Sequence, residues 1–308
     1  MRLSAGFVIV VHEIPPARLA ELVDGLPGQP IPLSELIGRR KASKSTAGLF
    51  AITVDDGVGY NVRALTQLFR ARQWPATFYL PTQYLDTGKP MPFQLWWRMK
   101  PLLPRRRLSL SSGVLDLSRP AALNEISRKI ERMWYCGRQE SYLPLTLEIA
   151  AVLSDEIGVP ITELGPSPIT WAEVENLSRD PLLQFESHGV SHTAMSGLGE
   201  DEIIFEMQRG RDIIEEHTGR PCRHFCYPFG TTDSIGGAKT SALARQFYDS
   251  AVTMRLGSVD EADPWLMPRI GFYTKNSRLF ARTKVYLSCA GIRLFRADAR
   301  KAIASPAS

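Results

Sequence analysis

Two short apolar runs, each ending in a cluster of polar residues, restrict the fold of this chain more than any other feature. Phe50-Ala51-Ile52-Thr53-Val54 stops at Asp55-Asp56-Gly57, and Leu182-Leu183-Gln184-Phe185 runs into Glu186-Ser187-His188-Gly189-Val190-Ser191-His192. Runs of strand length with little polar alternation are buried on both faces, as in parallel sheets covered by helices. In such sheets catalytic groups gather at the carboxyl ends of the strands. Two carboxylates and two imidazoles are therefore expected at one rim of an α/β structure.

Either half alone is commonplace. A His-x-x-x-His pair also fits a helix face, and Asp-Asp-Gly also fits a turn. Their coincidence at two strand ends favours a mononuclear metal site. One carboxylate and two imidazoles leave open positions on a divalent ion, which suits a hydrolytic zinc site and equally a non-haem iron oxygenase. The adjacent second aspartate favours hydrolysis. Neighbouring side chains at a strand end point in different directions, so one carboxylate can bind metal while the other takes a proton from water.

Hydrolysis of an amide or ester also needs an acid for the leaving group and a donor for the oxyanion. His12 ends an apolar strand over residues 7–11, which makes it a candidate acid or else a histidine satisfied by backbone. Cys226-Tyr227-Pro228-Phe229-Gly230 places a proline turn at another strand end, with the Phe229 N–H the first candidate oxyanion donor and an ordinary turn the alternative. Arg269 is a candidate bidentate partner for Asp55, or a surface charge. His217 at a helix end and His224 within a strand have ready structural explanations.

Along the chain, strands and helices alternate. The first strand is followed by a polar, Pro/Gly-rich stretch to about residue 48, expected to be mostly surface connection. A helix is expected over about residues 61–73, then a strand at 75–80, joined by a right-handed parallel crossover. Thr170-Trp171-Ala172-Glu173 is a capping-box signature. A longer helix is expected over about residues 200–217, with strands at 224–227, 250–253 and 266–272. The alternation predicts a single α/β barrel or open parallel sheet. Residues 82–168 break the pattern and read as a partly helical insertion, so the expected organisation is one catalytic domain over 1–308. Trp96, Trp97, Trp134 and Tyr135 within or beside its helical stretches suit a core better than a sugar-stacking surface.

The balance of 37 Lys plus Arg against 32 Asp plus Glu gives +5, which does not by itself argue for nucleic acid. The basic residues concentrate between Arg98 and Arg138. That is most simply a solvated face, and more sharply a surface for an anionic carrier or a membrane. Cys136, Cys222, Cys226 and Cys289 show no disulfide framework or zinc-ribbon spacing, and read as reduced thiols of a cytosolic protein. Arg2 precedes the apolar stretch 5–11, but His12 and Glu13 interrupt it, so it reads as a strand and not as a signal peptide. No run approaches the roughly 20 apolar residues needed to span a bilayer.

These motifs resemble those of the polysaccharide deacetylases of carbohydrate esterase family four, the NodB-homology proteins. Thr53-Val54-Asp55-Asp56-Gly57 is similar to the family's T-F-D-D-G motif, and His188 to His192 to its H-[ST]-x-x-H motif with Gly189 in place of Ser or Thr. The resemblance implies a distorted (β/α) barrel, with Asp55 as catalytic base and Asp56, His188 and His192 as metal ligands. The ion implied is divalent, Zn2+ first, with Co2+, Ni2+ or Mn2+ as alternatives. The family's R-P-P-Y-G motif appears as Cys226-Tyr227-Pro228-Phe229-Gly230 without its arginine, and Arg269 is expected to take over that role. Val10-Val11-His12 resembles the family's C-terminal L-x-H motif moved ahead of the Asp-Asp-Gly strand, as in the permuted members that deacetylate biofilm poly-N-acetylglucosamine.

The sequence thus predicts a metal-dependent N-deacetylase acting on an N-acetylated amino sugar of a bacterial surface polysaccharide, or on its lipid- or nucleotide-linked precursor. It is expected in the cytoplasm, with peripheral contact to the inner membrane through the basic insertion. The alternatives are a hydrolase of another small amide and a sugar-binding module without turnover.

Overall fold

The computed structural model describes residues 3–119, 121–136, 143–260 and 262–292. Arg2 and Arg138, noted above among the basic residues, lie outside these, as does the end of the expected domain beyond residue 292. In chain order the strands are β1 (Phe7–Val11), β2 (Gln29–Pro30), β3 (Leu49–Val54), β4 (Ala76–Leu80), β5 (Arg107–Leu110), β6 (Gly113–Asp116), β7 (Leu183–Ser187), β8 (His224–Cys226), β9 (Ser250–Val252) and β10 (Ile270–Gly271). The main sheet is parallel, in the order β10-β1-β3-β4-β7-β8-β9, with β2 beside the start of β3.

The sheet curls until its edges meet through one segment. Met267 exchanges backbone hydrogen bonds with Ala251 and Thr253 beside β9, and Phe272 N–H donates to Val10 O on β1. This closes a distorted (β/α) barrel and brings Arg269 into its wall. Phe7, Ile9, Val11, Phe50, Ile52 and Val54 pack outward under helices. Val8, Ala51, Tyr79, Cys226 and Val252 fill the interior. Because both faces are buried, the strands read as apolar runs without alternation.

The stretch expected as surface connection before residue 48 is instead structural. It forms the helices Pro16–Asp24 and Leu33–Lys41, with Leu19, Leu22, Leu33 and Leu36 buried. Proline is tolerated at the first turn of a helix, so Pro16 opens a helix here without breaking one. The Leu33–Lys41 helix seats Leu33, Leu36 and Ile37 in the interior cluster, and its Ser34 accepts a hydrogen bond from Gln184 near the start of β7. It therefore plugs the amino end of the barrel, leaving the carboxyl end for a site.

The segment between β4 and β7 packs around its own cluster, including Leu95, Trp96, Met99, Ile130, Trp134, Ile149 and Leu153. Its elements include the helices Pro92–Met99, Ala122–Cys136 and Leu143–Ile157 and the β5–β6 hairpin. Trp96 and Trp134 are core residues. Part of its basic charge is paired, through Arg106–Glu156, Arg107–Asp116 and Arg119–Glu125. Thr170 caps the Trp171–Leu177 helix through the expected capping box. A C-terminal helix, Arg278–Cys289, was not foreseen. Among the described residues no helix is long and apolar enough to cross a membrane.

Candidate active site

Strand register sets the rim. Val11 pairs with Val54, Leu80 with Ser187, and Ser187 with Phe225, so neighbouring strands end nearly level. The residues that follow, His12, Asp55, Asp56, His188 and the Tyr227-Pro228 turn, are thereby gathered at the carboxyl end. Three non-glycine residues here have left-handed backbone, Asp56 at φ 74, His192 at φ 56 and Phe229 at φ 59. Such conformations cost energy and persist where the surroundings over-determine them.

Asp56, His188 and His192 form a buried cluster whose ligand atoms all lie within 4.8 Å of one another. Asp56 Oδ1 is 3.7 Å from His188 Nε2 and 3.5 Å from His192 Nε2. His188 Nδ1 donates to Cys226 O at 2.8 Å, which leaves Nε2 with its lone pair toward the cluster. Burial, with His192 beside it, pushes the His188 imidazole down to about 4, so it is neutral and ready to ligate at neutral pH. Burial opposes ionisation of Asp56, but the hydrogen-bonding His192 and the surrounding imidazoles hold its carboxyl well below the usual range. The His192 ring stacks on Phe93 at 4.9 Å and meets Phe229 edge-on at 4.7 Å.

The loop carrying the histidines is held by Glu206, from the Glu200–Thr218 helix, a residue sequence reasoning missed. Its carboxylate accepts from Val190 N–H at 2.7 Å, Ser191 N–H at 3.0 Å and Ser191 Oγ at 2.6 Å. Gly189 has φ 78, and a Cβ there would stand 2.8 Å from Glu206 Oε2. The departure from Ser or Thr at this motif position therefore has a steric and conformational cause.

Asp55 stands beside this cluster, with both carboxylate oxygens engaged by an arginine. Arg269 Nη1 donates to Asp55 Oδ1 and Nη2 to Oδ2, each at 2.7 Å, while Nε donates to Thr253 O at 3.0 Å. Burial would raise the Asp55 pKa, but the Arg269 guanidinium outweighs it and keeps the carboxyl below its usual value. Cys226, read from sequence only as a reduced thiol, accepts from Arg269 Nη2 at 3.0 Å and lies 3.6 Å from Asp55 Oδ2. Asp55, His188 and Cys226 also bring ligand atoms together. That set suits a cation less well, because the guanidinium occupies both Asp55 oxygens and burial keeps the Cys226 thiol protonated. His12 Nε2 stands 3.8 Å from Asp55 Oδ2, with its side chain a quarter exposed.

These groups form the floor of a cavity of about 300 Å³. One wall, of Phe93, Trp97, Trp134, Tyr135 and Phe229, comes largely from the segment between β4 and β7. At the outer edge Arg98 and Tyr60 both hydrogen-bond the Glu13 carboxylate, joining the segment between β4 and β7 to two barrel elements. Sequence reasoning did not single out this clasp, whose three residues are scattered along the chain. Among the described residues the Phe229 N–H, beside the cluster, donates to no protein group.

The polysaccharide deacetylase family model matches residues 42–246, and the chain belongs to that family. His12 and Arg269 stand outside the matched stretch. No curated protein matches the sequence. Among solved structures, Streptococcus pyogenes deacetylase PplD in complex with acetate is 12% identical, with TM-score 0.54 over 92% of this chain and 98% of that one. The BpsB deacetylase domain from Bordetella bronchiseptica is 13% identical, with TM-score 0.56 over 87% and 96%. IcaB from Ammonifex degensii is 14% identical, with TM-score 0.53 over 92% and 97%. These likenesses establish a shared fold.

Proposed function

We propose that the protein is a metal-dependent N-deacetylase acting on an N-acetylated amino sugar of a bacterial surface polysaccharide or of its carrier-linked precursor. One observation carries this reading: Asp56, His188 and His192 converge as a ligand set, while the adjacent Asp55 is held beside it and kept ionised by Arg269. The donor set, one carboxylate and two imidazoles, fits a zinc-type ion with open positions. A bound ion of this kind supplies Lewis acidity, polarising the acetyl carbonyl and making water more acidic.

The protein's own groups supply the rest. Asp55 accepts the proton of the attacking water, and Arg269 keeps it charged and oriented for that step. The Phe229 N–H donates to the oxyanion that develops on the carbonyl oxygen. His12 delivers a proton to the departing nitrogen. The aromatic wall gives the cavity an apolar side against which a sugar can pack. We place all of this in one catalytic unit, with the segment over residues 82–168 as its insertion.

The test is acetate release from a panel of N-acetylated glycans and conjugates by protein loaded with Zn2+, Co2+, Ni2+ or Mn2+. Metal-dependent acetate release supports the reading. Release only from small non-sugar amides moves the substrate class, and binding without release leaves a sugar-binding module.

A further inference from the structure

The C-terminal helix Arg278–Cys289 turns an apolar face outward. Its Ala281, Val285 and Ser288 pack inward, and Lys284 donates to Gly271 O at 2.8 Å, which anchors the helix on β10. Tyr286 packs against the core, whereas at 100° per residue Leu279, Phe280, Thr283, Leu287 and Ala290 fall within about 100° on the opposite side. Leu279 is 75% exposed and Phe280 51%. Two large apolar side chains this open, side by side in the first turn of a helix, offer a surface that a partner can cover.

The charges beside this arc identify the occupant. Arg278 and Arg282, one turn apart, run along one edge of it and make no ion pair among the described residues, and the helix carries no acidic residue. An apolar arc bordered by cations matches the interface of a membrane containing anionic phospholipid, where side chains such as Leu and Phe enter the acyl boundary and Arg meets phosphate. The helix also begins at the rim: Tyr273 and Thr274, which line the cavity, lie just ahead of Ser277, its N-cap.

We infer that this arc docks the protein on an anionic phospholipid membrane, with the mouth of the cavity brought close to the lipid surface. The docking surface is the C-terminal helix and not the basic insertion, part of whose arginines are ion-paired. The inference stands apart from the proposed reaction, because docking needs neither metal nor turnover.

The test is sedimentation of the full chain with vesicles of equal parts phosphatidylglycerol and phosphatidylcholine, and with phosphatidylcholine vesicles. Binding to the anionic vesicles, weakened by salt, is expected. The double variant Leu279→Ser, Phe280→Ser should bind about tenfold more weakly or worse while keeping its melting temperature, since both residues are exposed. Arg106→Gln with Arg107→Gln, in the insertion, should change little. Equal binding to neutral vesicles, no binding by the parent, or undiminished binding by the double variant would overturn the inference. So would a dimer in solution that the double variant abolishes, which would assign the arc to a second copy of the chain. Acetate release from a water-soluble substrate by the double variant tests the reaction separately.

Discussion

Arg269 holds both carboxylate oxygens of Asp55 at 2.7 Å from a position 214 residues away in sequence. The small Cys226 side chain stands where the family motif has arginine, and the guanidinium arrives instead from the segment that closes the barrel. The pair is buried, so removing one partner leaves an uncompensated charge.

Arg269→Ala should therefore reduce stability by about 3–5 kcal/mol at neutral pH. Asp55 is held below its ordinary value, so the pair's stabilisation is complete above the unfolded carboxyl value of 3.8 and is lost as pH falls below it. The melting-temperature deficit of the variant should accordingly be larger at pH 7 than at pH 3. Without the guanidinium, burial raises the Asp55 pKa, and the acidic limb of the kcat/KM profile should move to higher pH. Arg269→Lys keeps the charge but loses the fork, and should fall between.

Asp55→Asn should retain metal and lose turnover. The amide is nearly isosteric but cannot accept the proton, so a fall in kcat of about 100-fold to 10,000-fold is expected with metal content unchanged. Metal analysis and acetate release on the same preparation provide the check. Activity within a few-fold of the parent would reassign the base.

His188→Ala and His192→Ala should each abolish stoichiometric metal without unfolding the chain. Both side chains are buried but lie at the rim and not in the barrel's hydrophobic interior. Dialysis against Zn2+ followed by metal analysis and circular dichroism would show this. Undiminished metal in either variant would remove the site.

Gly189→Ser would restore the family's usual residue and should nonetheless weaken the protein. A side chain at φ 78 is strained, and its Cβ would press on Glu206 Oε2 at 2.8 Å. Losses of about 1–2 kcal/mol of stability and of metal affinity are expected, because Glu206 fixes the backbone between the two histidines. Thermal melting and zinc competition titration are the measurements. A stabilised variant with tighter zinc would show that Glu206 does not hold the loop.

Much of the site was legible because its residues follow apolar runs. Phe50 to Val54 and Leu182 to Phe185 announce buried parallel strands, and strand ends are where Asp55, Asp56 and His188 had to fall. What stayed hidden depends on long-range packing. Glu206 lies on an amphipathic helix with ordinary acidic neighbours, and only the close approach permitted by Gly210 brings it to the histidine loop; a Cβ there would meet Ser187 Oγ at 2.6 Å. Helices Pro16–Asp24 and Leu33–Lys41 were obscured by prolines that open them. The Glu13–Arg98–Tyr60 clasp joins three distant segments and has no local signature. Cys226 did leave a trace, since it replaces the arginine of a recognisable motif.

His12 is the remaining histidine at the rim. His224 is buried within β8, where Nδ1 meets Ser250 Oγ at 3.0 Å. His217 stacks flat on Trp171 at 4.0 Å and pairs with Glu175 at the far end of a helix. Departure of an amine from a tetrahedral intermediate requires a proton, and His12 lines the cavity with its Nε2 3.8 Å from the Asp55 carboxylate, outside the ligand cluster. Its position is fixed from behind: Asn61 donates to His12 O and accepts from Ile14 N–H at 3.2 Å. His12→Ala should therefore lower kcat by about 100-fold to 10,000-fold and leave metal content and fold unchanged. His12→Gln, which keeps a polar side chain but cannot deliver a proton at neutral pH, should be equally impaired. A substrate with an activated leaving group, which departs without a proton, should recover most of the loss in both variants. Normal turnover of either variant on an N-acetyl sugar, or failure of the activated substrate to recover rate, would remove His12 from the acid role.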